Sequence, residues 1–148
     1  MEKLLGVLVV IFTLAISSFA RADEIKEIQS LSAWTNQSGS TLYINNIGSN
    51  GLLTGTYINR APGYGCQNIA YPVTGWVYGT AITFTTIWQS TESCNSITAW
   101  TGFLYNGQIQ TLWQLVRNGS SSTKQILQGA DTFTWSAKKS HKSLMIEK

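Results

Sequence analysis

The chain has 148 residues, of which 10 are Lys or Arg, 7 are Asp or Glu and one is His, and its formal net charge at pH 7 is +3. This length favours a single domain. The few charged residues in the body of the chain, between positions 31 and 137, are Arg60, Glu92, Arg117, Lys124 and Asp131. Binding to a phosphate backbone requires a basic stripe or patch, so the sequence argues against a nucleic-acid partner.

Residues 1–22 have the pattern of a secretory signal peptide. Lys3 supplies the positive charge, LLGVLVVIFTLAI is the apolar stretch, and Ala20-Arg21-Ala22 offers a cleavage site between small residues. The apolar stretch is shorter than the roughly 20 residues that a membrane-spanning helix needs, which disfavours the alternative of a membrane anchor. We therefore predict a protein that is secreted or periplasmic, with no membrane segment once the signal is cleaved.

After a short N-terminal segment, residues 23–30, the region 31–137 contains eight runs rich in strand-forming residues. In chain order they are SAWTNQ, STLYINNI, LLTGTYIN, YPVTGWVY, AITFTTIWQS, SITAWTGFLY, QIQTLWQLV and ILQGADTFTW. Turn signals such as GSNG, YNG and RNGSSS separate them. We predict an all-β fold, an eight-stranded antiparallel up-and-down β-barrel with a ligand pocket in one mouth, because such a barrel can hold one small ligand. A sandwich, the alternative, would need apolar residues that these runs do not supply.

Several of these strands carry a tryptophan and small polar residues on one face. Residues i, i+2 and i+4 of a strand point to the same side, so Ser96, Thr98 and Trp100 share a face. A pure core would carry aliphatic residues there, whereas aromatic walls with a few convergent polar groups describe a small-molecule pocket. Turning every aromatic face inward collects Asn36, Tyr57, Asn59, Trp88, Ser96, Thr98, Trp100, Trp113 and Asp131.

The other tryptophans and the single histidine have plainer interpretations. Trp34, Trp76 and Trp135 are interpreted as packing residues, because indoles bury large areas in most domains. His141 lies in the basic C-terminal tail, residues 138–148. A metal or catalytic role would need partner residues at suitable spacing, and the sequence has none for it. We predict no metal site and a solvated tail.

The two cysteines, Cys66 and Cys94, lie in the turn-rich segments GYGCQN and ESCNS. An even number of cysteines in a small secreted domain argues for a disulfide; the alternative is two buried free thiols. A bridge at these positions would join two loops rather than two core strands. We therefore expect it to make the loops rigid as much as to stabilise the fold.

The order of the motifs resembles the avidin and streptavidin family. WTNQSGST, GLLTGTYINR, YPVTGWV, ITFTTIW with SITAWTG, TLWQLV and GADTF follow the family's pattern over about residues 33–134. The two cysteine-bearing segments resemble those of the short, dimeric avidins of the rhizavidin and shwanavidin type. The resemblance implies biotin as the ligand, with no cofactor.

The same resemblance implies a role for each matching residue. Asn36, Ser40 and Tyr57 correspond to three donors around the ureido oxygen of biotin, while Asp131 and Asn59 correspond to the acceptors of its two N–H groups. The remaining matches contact the sulfur, the carboxylate and the rings of the ligand. They are Thr98 for the thioether sulfur, Ser96 and the loop around Gly63 for the valerate carboxylate, and Trp88, Trp100 and Trp113 for the aromatic walls.

One departure from the tetrameric members bears on assembly. Where they have a tryptophan that one subunit lends to its neighbour, this chain has Thr123 and Lys124. We therefore expect a homodimer rather than a tetramer, with biotin and biotinylated proteins as partners. The Cys66–Cys94 bridge would then hold the loop that carries Gly63 in its binding position, which lowers the cost of ordering it.

Two other function classes remain open from the residues alone. A secreted glycosidase usually needs two carboxylates beside the scissile bond, but the barrel region has only Glu92 and Asp131, and Glu92 falls in a loop. A Ser-His-Asp triad cannot form, since the single histidine lies outside that region. We predict no enzymatic activity. The alternative binding function is that of a secreted barrel for carbohydrate or another small ligand.

Overall fold

The computed structural model describes residues 25–90 and 94–138. The predicted signal peptide, His141 and Glu92 lie outside the described residues, so those predictions are untested. Within the described ranges, no helix has the length and apolar character needed to cross a membrane.

Eight antiparallel strands form a closed barrel in which each strand pairs with the next along the chain and β8 pairs with β1. The predicted eight-stranded up-and-down barrel is therefore confirmed. A short 3-10 helix, Thr123–Gln125, precedes the last strand. The strands are β1 Ser32–Asn36, β2 Thr41–Ile47, β3 Leu52–Ile58, β4 Ala70–Tyr78, β5 Ala81–Gln89, β6 Asn95–Tyr105, β7 Gln108–Arg117 and β8 Leu127–Lys138.

The alternation of residue types along each strand determines which side chains fill the barrel. In β5, Phe84 and Trp88 are buried, whereas Thr85 and Ile87 between them face outward. The same period of two holds around the barrel, and the largest fully buried side chains are Trp34, Leu42, Ile44, Leu53, Phe84, Ile109 and Phe133. These side chains form one continuous interior cluster.

Some neighbouring strands are connected by tight turns. β6 and β7 are joined at Asn106-Gly107, where both residues have positive φ, 48° and 72°. A two-residue hairpin turn of this kind matches the twist of the strands and favours Asn-Gly. The predicted turn at YNG is therefore present, and it keeps the two long strands in register.

Two of the three tryptophans interpreted as packing residues do pack inside the barrel. The rings of Trp34 and Trp135 meet edge to face at 5.2 Å, and the indole N–H of Trp34 donates to the Ser32 hydroxyl over 3.0 Å. The prediction is wrong for Trp76, which is 51% exposed. The reason is strand parity, because Val73 and Gly75 take the inward positions of β4 and Trp76 falls on the outer face.

Candidate functional site

A cavity of about 530 Å³ opens at one end of the barrel, where the odd-numbered strands end and the even-numbered strands begin. This volume is within the range of pockets that bury small ligands. Every residue that the sequence nominated for ligand contact lines this cavity. They are Asn36, Ser40, Tyr57, Asn59, Gly63, Trp88, Ser96, Thr98, Trp100, Trp113 and Asp131.

The turn between β1 and β2 fixes the orientation of the Asn36 amide. Oδ1 of Asn36 accepts hydrogen bonds from the backbone N–H groups of Ser38 and Ser40, at 3.0 and 2.9 Å. Because the oxygen is held by the turn, the Nδ2 donor points the other way and reaches the Tyr57 hydroxyl oxygen over 3.3 Å. Asn36, Ser40 and Tyr57 are all buried. The arrangement presents hydrogen-bond donors to the interior of the cavity.

The Tyr57 phenol remains protonated in this environment. Burial away from water raises its pKa well above the ordinary value, and the negative charge of Asp131 raises it further, whereas a hydrogen bond with Ser40 acts in the opposite direction. A hydroxyl that keeps its proton can donate a hydrogen bond to a ligand. Since Asn36 already donates to the oxygen of Tyr57, the phenolic proton is directed elsewhere.

The Asp131 carboxylate is held from two sides. Oδ1 accepts from Nε2 of Gln37 over 2.8 Å, and Oδ2 accepts from the indole N–H of Trp100 over 2.9 Å. The carboxylate is buried, and charge-assisted hydrogen bonds of this kind are stronger than neutral ones. Asp131 is the only acidic residue among the described cavity-lining residues, so it provides a fixed acceptor for a ligand donor.

Aromatic side chains form much of the cavity wall. The ring of Trp100 stacks on Tyr57 at 4.9 Å and on Phe84 at 4.8 Å. The indole N–H of Trp88 donates to the Thr98 hydroxyl over 2.8 Å, which fixes Trp88 and leaves the hydroxyl proton of Thr98 free to point toward a ligand. These contacts hold the walls in place, so a ligand would not have to order them.

Trp113 is half-buried, and its position depends on the strand beside it. Gly129 of β8 is its direct cross-strand partner. A Cβ atom at Gly129 would collide with the indole of Trp113, so glycine is required for the ring to lie against β8. On its other side, Trp113 meets Tyr64 edge to face at 6.4 Å. The indole therefore lies between the barrel wall and the loop after β3.

The loop between β3 and β4 carries Gly63 and is held by hydrogen bonds and by a disulfide. Nδ2 of Asn59 donates to the carbonyl of Gly65 over 3.0 Å, and Cys66 forms a disulfide with Cys94, with 6.0 Å between their Cα atoms. The predicted bridge is confirmed. Cys66 has φ of 55°, in the left-handed region that costs free energy for a residue with a side chain. The disulfide joins this strained segment to the start of β6.

The cavity is also lined by residues that the sequence analysis missed. Among them are Gln37, Tyr64 and Arg117, whose polar groups could contact a ligand or the other side chains of the wall. Gln37 and Tyr64 lie in turn and loop segments, where strand parity gives no information about direction. Arg117 does share its parity with Trp113 and could have been found that way. The segment Thr123–Gln125, which contains the two residues singled out in the sequence analysis for their bearing on assembly, does not line the cavity.

Comparison with known proteins identifies the family. The sequence model of the avidin family matches residues 24–136. The chain belongs to the avidin family. This confirms the resemblance found from the ordered motifs, and the family's barrel is the fold that the chain adopts.

Individual relatives agree with this assignment. The chain is 45% identical to afifavidin from Afifella pfennigii over 108 residues, which are 70% of this chain and 67% of afifavidin. A crystal structure of a shwanavidin variant in complex with biotin is 62% identical, with a TM-score of 0.72, and the match covers 76% of this chain and 100% of that one. The rhizavidin–biotin complex is 46% identical, with a TM-score of 0.66, and the match covers 76% of this chain and 97% of rhizavidin.

Proposed function

We propose that this protein binds biotin tightly and reversibly and does not change it chemically. The observation that carries the proposal is that one aromatic cavity contains both the donor pair Asn36–Tyr57 and the fixed carboxylate of Asp131. A cyclic urea has an acceptor oxygen on one side and N–H donors on the other, which is the complement of this arrangement. Shwanavidin and rhizavidin, whose biotin complexes are known, support the choice of ligand.

The ureido oxygen would lie among Nδ2 of Asn36, Oγ of Ser40 and Oη of Tyr57. One ureido N–H would donate to Asp131 and the other to Oδ1 of Asn59. Three donors on one oxygen, with a carboxylate opposite, polarise the urea toward an oxyanion, and hydrogen bonds to a charged group are roughly twice as strong as neutral ones. A cavity that excludes water strengthens them further.

The other end of biotin would use the outer part of the cavity. The Thr98 hydroxyl would contact the thioether sulfur, while Ser96 and the loop around Gly63 would hold the valerate carboxylate. Apolar contact with the indole walls adds about 25 cal/mol per Å² of buried area. In this proposal Trp88, Trp100 and Trp113 are the walls.

Capture on biotin-agarose tests the proposal. Oxidised full-length protein is expected to stay on the resin through washing and to leave it with excess free biotin, but not with a panel of free sugars. No retention on the biotin resin, together with binding to one of the sugars, would support the carbohydrate-binding alternative.

We also propose that the protein is secreted or periplasmic, that it meets biotin both free and attached to proteins, and that it has no catalytic turnover.

We further propose that two copies of this chain form a dimer through the outer face of β5, β6 and β7. Ile87, Ile97 and Val116 are adjacent by strand register and are 56%, 49% and 39% exposed. Leu112 on the same outer face is 71% exposed. An apolar patch of neighbouring side chains on an outer sheet face marks an interaction surface.

Light scattering tests the dimer. The wild-type protein is expected to have twice the mass of the chain, and Ile97→Lys is expected to give a monomer because it places a charge in the centre of the patch. Tyr78→Lys, at a 90% exposed position on β4, is the matched control and should leave the mass unchanged. A tetrameric wild type, or a dimer that Ile97→Lys leaves intact, contradicts the proposed face.

A further inference from the structure

The cavity has one positive and one negative side chain among its described lining residues, and they occupy different depths. Asp131 is buried and is the cross-strand partner of Thr111 on β7. Arg117 is the last residue of the same strand and is exposed. The cavity therefore has a negative inner end and a positive outer end.

Strand parity directs Arg117 to the cavity rather than to the outer surface of the barrel. Trp113 and Leu115 precede it at steps of two, and all three line the cavity. Its direct cross-strand partner is Ser96 on β6, and the side chains of such a pair lie about 4.5–5.5 Å apart at Cβ. The guanidinium and the Ser96 hydroxyl thus belong to the same part of the mouth.

The separation between the two charges suits a ligand with a long tail. Arg117 lies six residues beyond Thr111 along β7, which corresponds to about 20 Å of strand at about 3.4 Å per residue. Barrel strands tilt by about 35–45°, so the height along the barrel axis is about 15 Å. Arg117 lines the cavity, and an arginine side chain is long enough to span part of this height.

We propose that Arg117 makes the mouth of this cavity selective for ligands that end in a free carboxylate over the same ligands with a neutral amide end. This proposal rests on the proposed function, since the ligand head is taken to bind beside Asp131. A guanidinium carries its charge at any working pH and pairs with carboxylates through a planar fork of donors. Biotin attached to a protein through an amide has lost that charge and gains nothing from Arg117.

The test compares biotin with biotinamide on the full-length, oxidised protein and on its Arg117→Gln variant. Dissociation and association rates are measured at low and high salt. For biotin, Arg117→Gln is expected to weaken binding by up to about five-fold, the range of an exposed ion pair, and to reduce the salt dependence of association. For biotinamide, the variant is expected to match the wild type. Arg117→Lys should recover part of the difference.

Lys26→Gln is the matched control, because it removes the same charge from an exposed residue that does not line the cavity. It should change neither ligand's rates. If the wild type binds neither ligand, the proposed function fails and this proposal fails with it. If the wild type binds both ligands and Arg117→Gln changes them equally, or if Lys26→Gln gives the same selective loss, only the Arg117 proposal is overturned.

Discussion

The indole N–H of Trp100 donates to Oδ2 of Asp131 over 2.9 Å. This bond joins the aromatic wall of the cavity to Asp131, the only acidic residue among the described lining residues. Trp100 is itself stacked against both Tyr57 and Phe84. The carboxylate is therefore oriented by a side chain that cannot move without disturbing the core. A ligand donor that meets Asp131 finds an acceptor already in position, which lowers the cost of binding.

Replacement of this carboxylate is expected to weaken biotin binding strongly. In Asp131→Asn one carboxylate oxygen is replaced by an NH2 group, which donates and cannot accept, so the side chain can no longer accept from Gln37, Trp100 and the ligand together. The expected loss is about 1–3 kcal/mol, the cost of an unpaired buried group, measured by competition for a fluorescent biotin conjugate. Trp135→Ala, on the same strand but in contact with Trp34, should lower the thermal midpoint while leaving the affinity nearly unchanged. Equal losses in the two variants would show that the assigned depths of Asp131 and Trp135 are wrong.

Gln37 should act as a positioning residue for Asp131. Besides its bond to the carboxylate, its amide donates to the carbonyl of Ala130 over 3.2 Å and accepts from the backbone N–H of Thr132 over 3.0 Å. Gln37→Ala is expected to speed biotin dissociation several-fold. The carboxylate loses one charge-assisted hydrogen bond, a type that contributes about 1.5–3 kcal/mol, but it keeps the bond from Trp100. Gln128→Ala, at an exposed position on the outer face of β8 and outside the cavity lining, is the matched control. Unchanged dissociation in Gln37→Ala would mean that Trp100 alone orients the carboxylate.

The disulfide should act on the residence time of biotin. The loop it holds carries Tyr64, which packs against Trp113, and Cys66 has a left-handed backbone that relaxes more easily without the bridge. Reduction is expected to increase the dissociation rate by a larger factor than it lowers the association rate, as is usual for changes within one binding site. The double variant Cys66→Ser with Cys94→Ser should show the same rates with and without reductant. Rates that do not respond to reduction would contradict the proposed role of the loop.

The raised pKa of Tyr57 predicts a loss of stability at high pH. An ordinary tyrosine loses its proton near pH 10, so above that pH the unfolded chain releases a proton that the folded protein keeps. The folded state then binds more protons, and the free energy of unfolding falls as the pH rises, by at most about 1.4 kcal/mol per pH unit for one group. Urea unfolding between about pH 9 and about pH 11 should show a steeper fall of the free energy of unfolding for the wild type than for Tyr57→Phe. Parallel curves would show that Tyr57 titrates normally.

The sequence predicted the barrel and the set of inward-facing site residues because both depend on the period of two along a strand. The same rule placed Tyr57, Trp88 and Trp100 in the interior. Parity does not give depth, so it could not separate Trp34, which does not line the cavity, from Trp100 in the cavity wall. Trp76 was interpreted as a packing residue from its size alone, but the inner face of β4 carries Val73 and Gly75, so Trp76 lies on the outer face.

Other contacts in the site could not be predicted from the alternation of side chains along a strand. Gln37 reaches Asp131 from a turn, and the direction of a turn side chain depends on backbone angles that the sequence does not specify. The contact between Gly129 and Trp113 depends on the register of β7 against β8. Register is set by turns and packing across the whole barrel, so this contact appears only in the folded structure.

Calorimetric titration of the oxidised, full-length protein with biotin tests the central claim most directly. We predict saturable heat release with one biotin bound per chain, and a transition at micromolar protein that is too steep to resolve a dissociation constant. The same titration with Asp131→Asn should give a shallower curve at the same stoichiometry. A wild-type protein that is folded and oxidised yet shows no saturable heat with biotin, and no retention on biotin-agarose, would contradict the account.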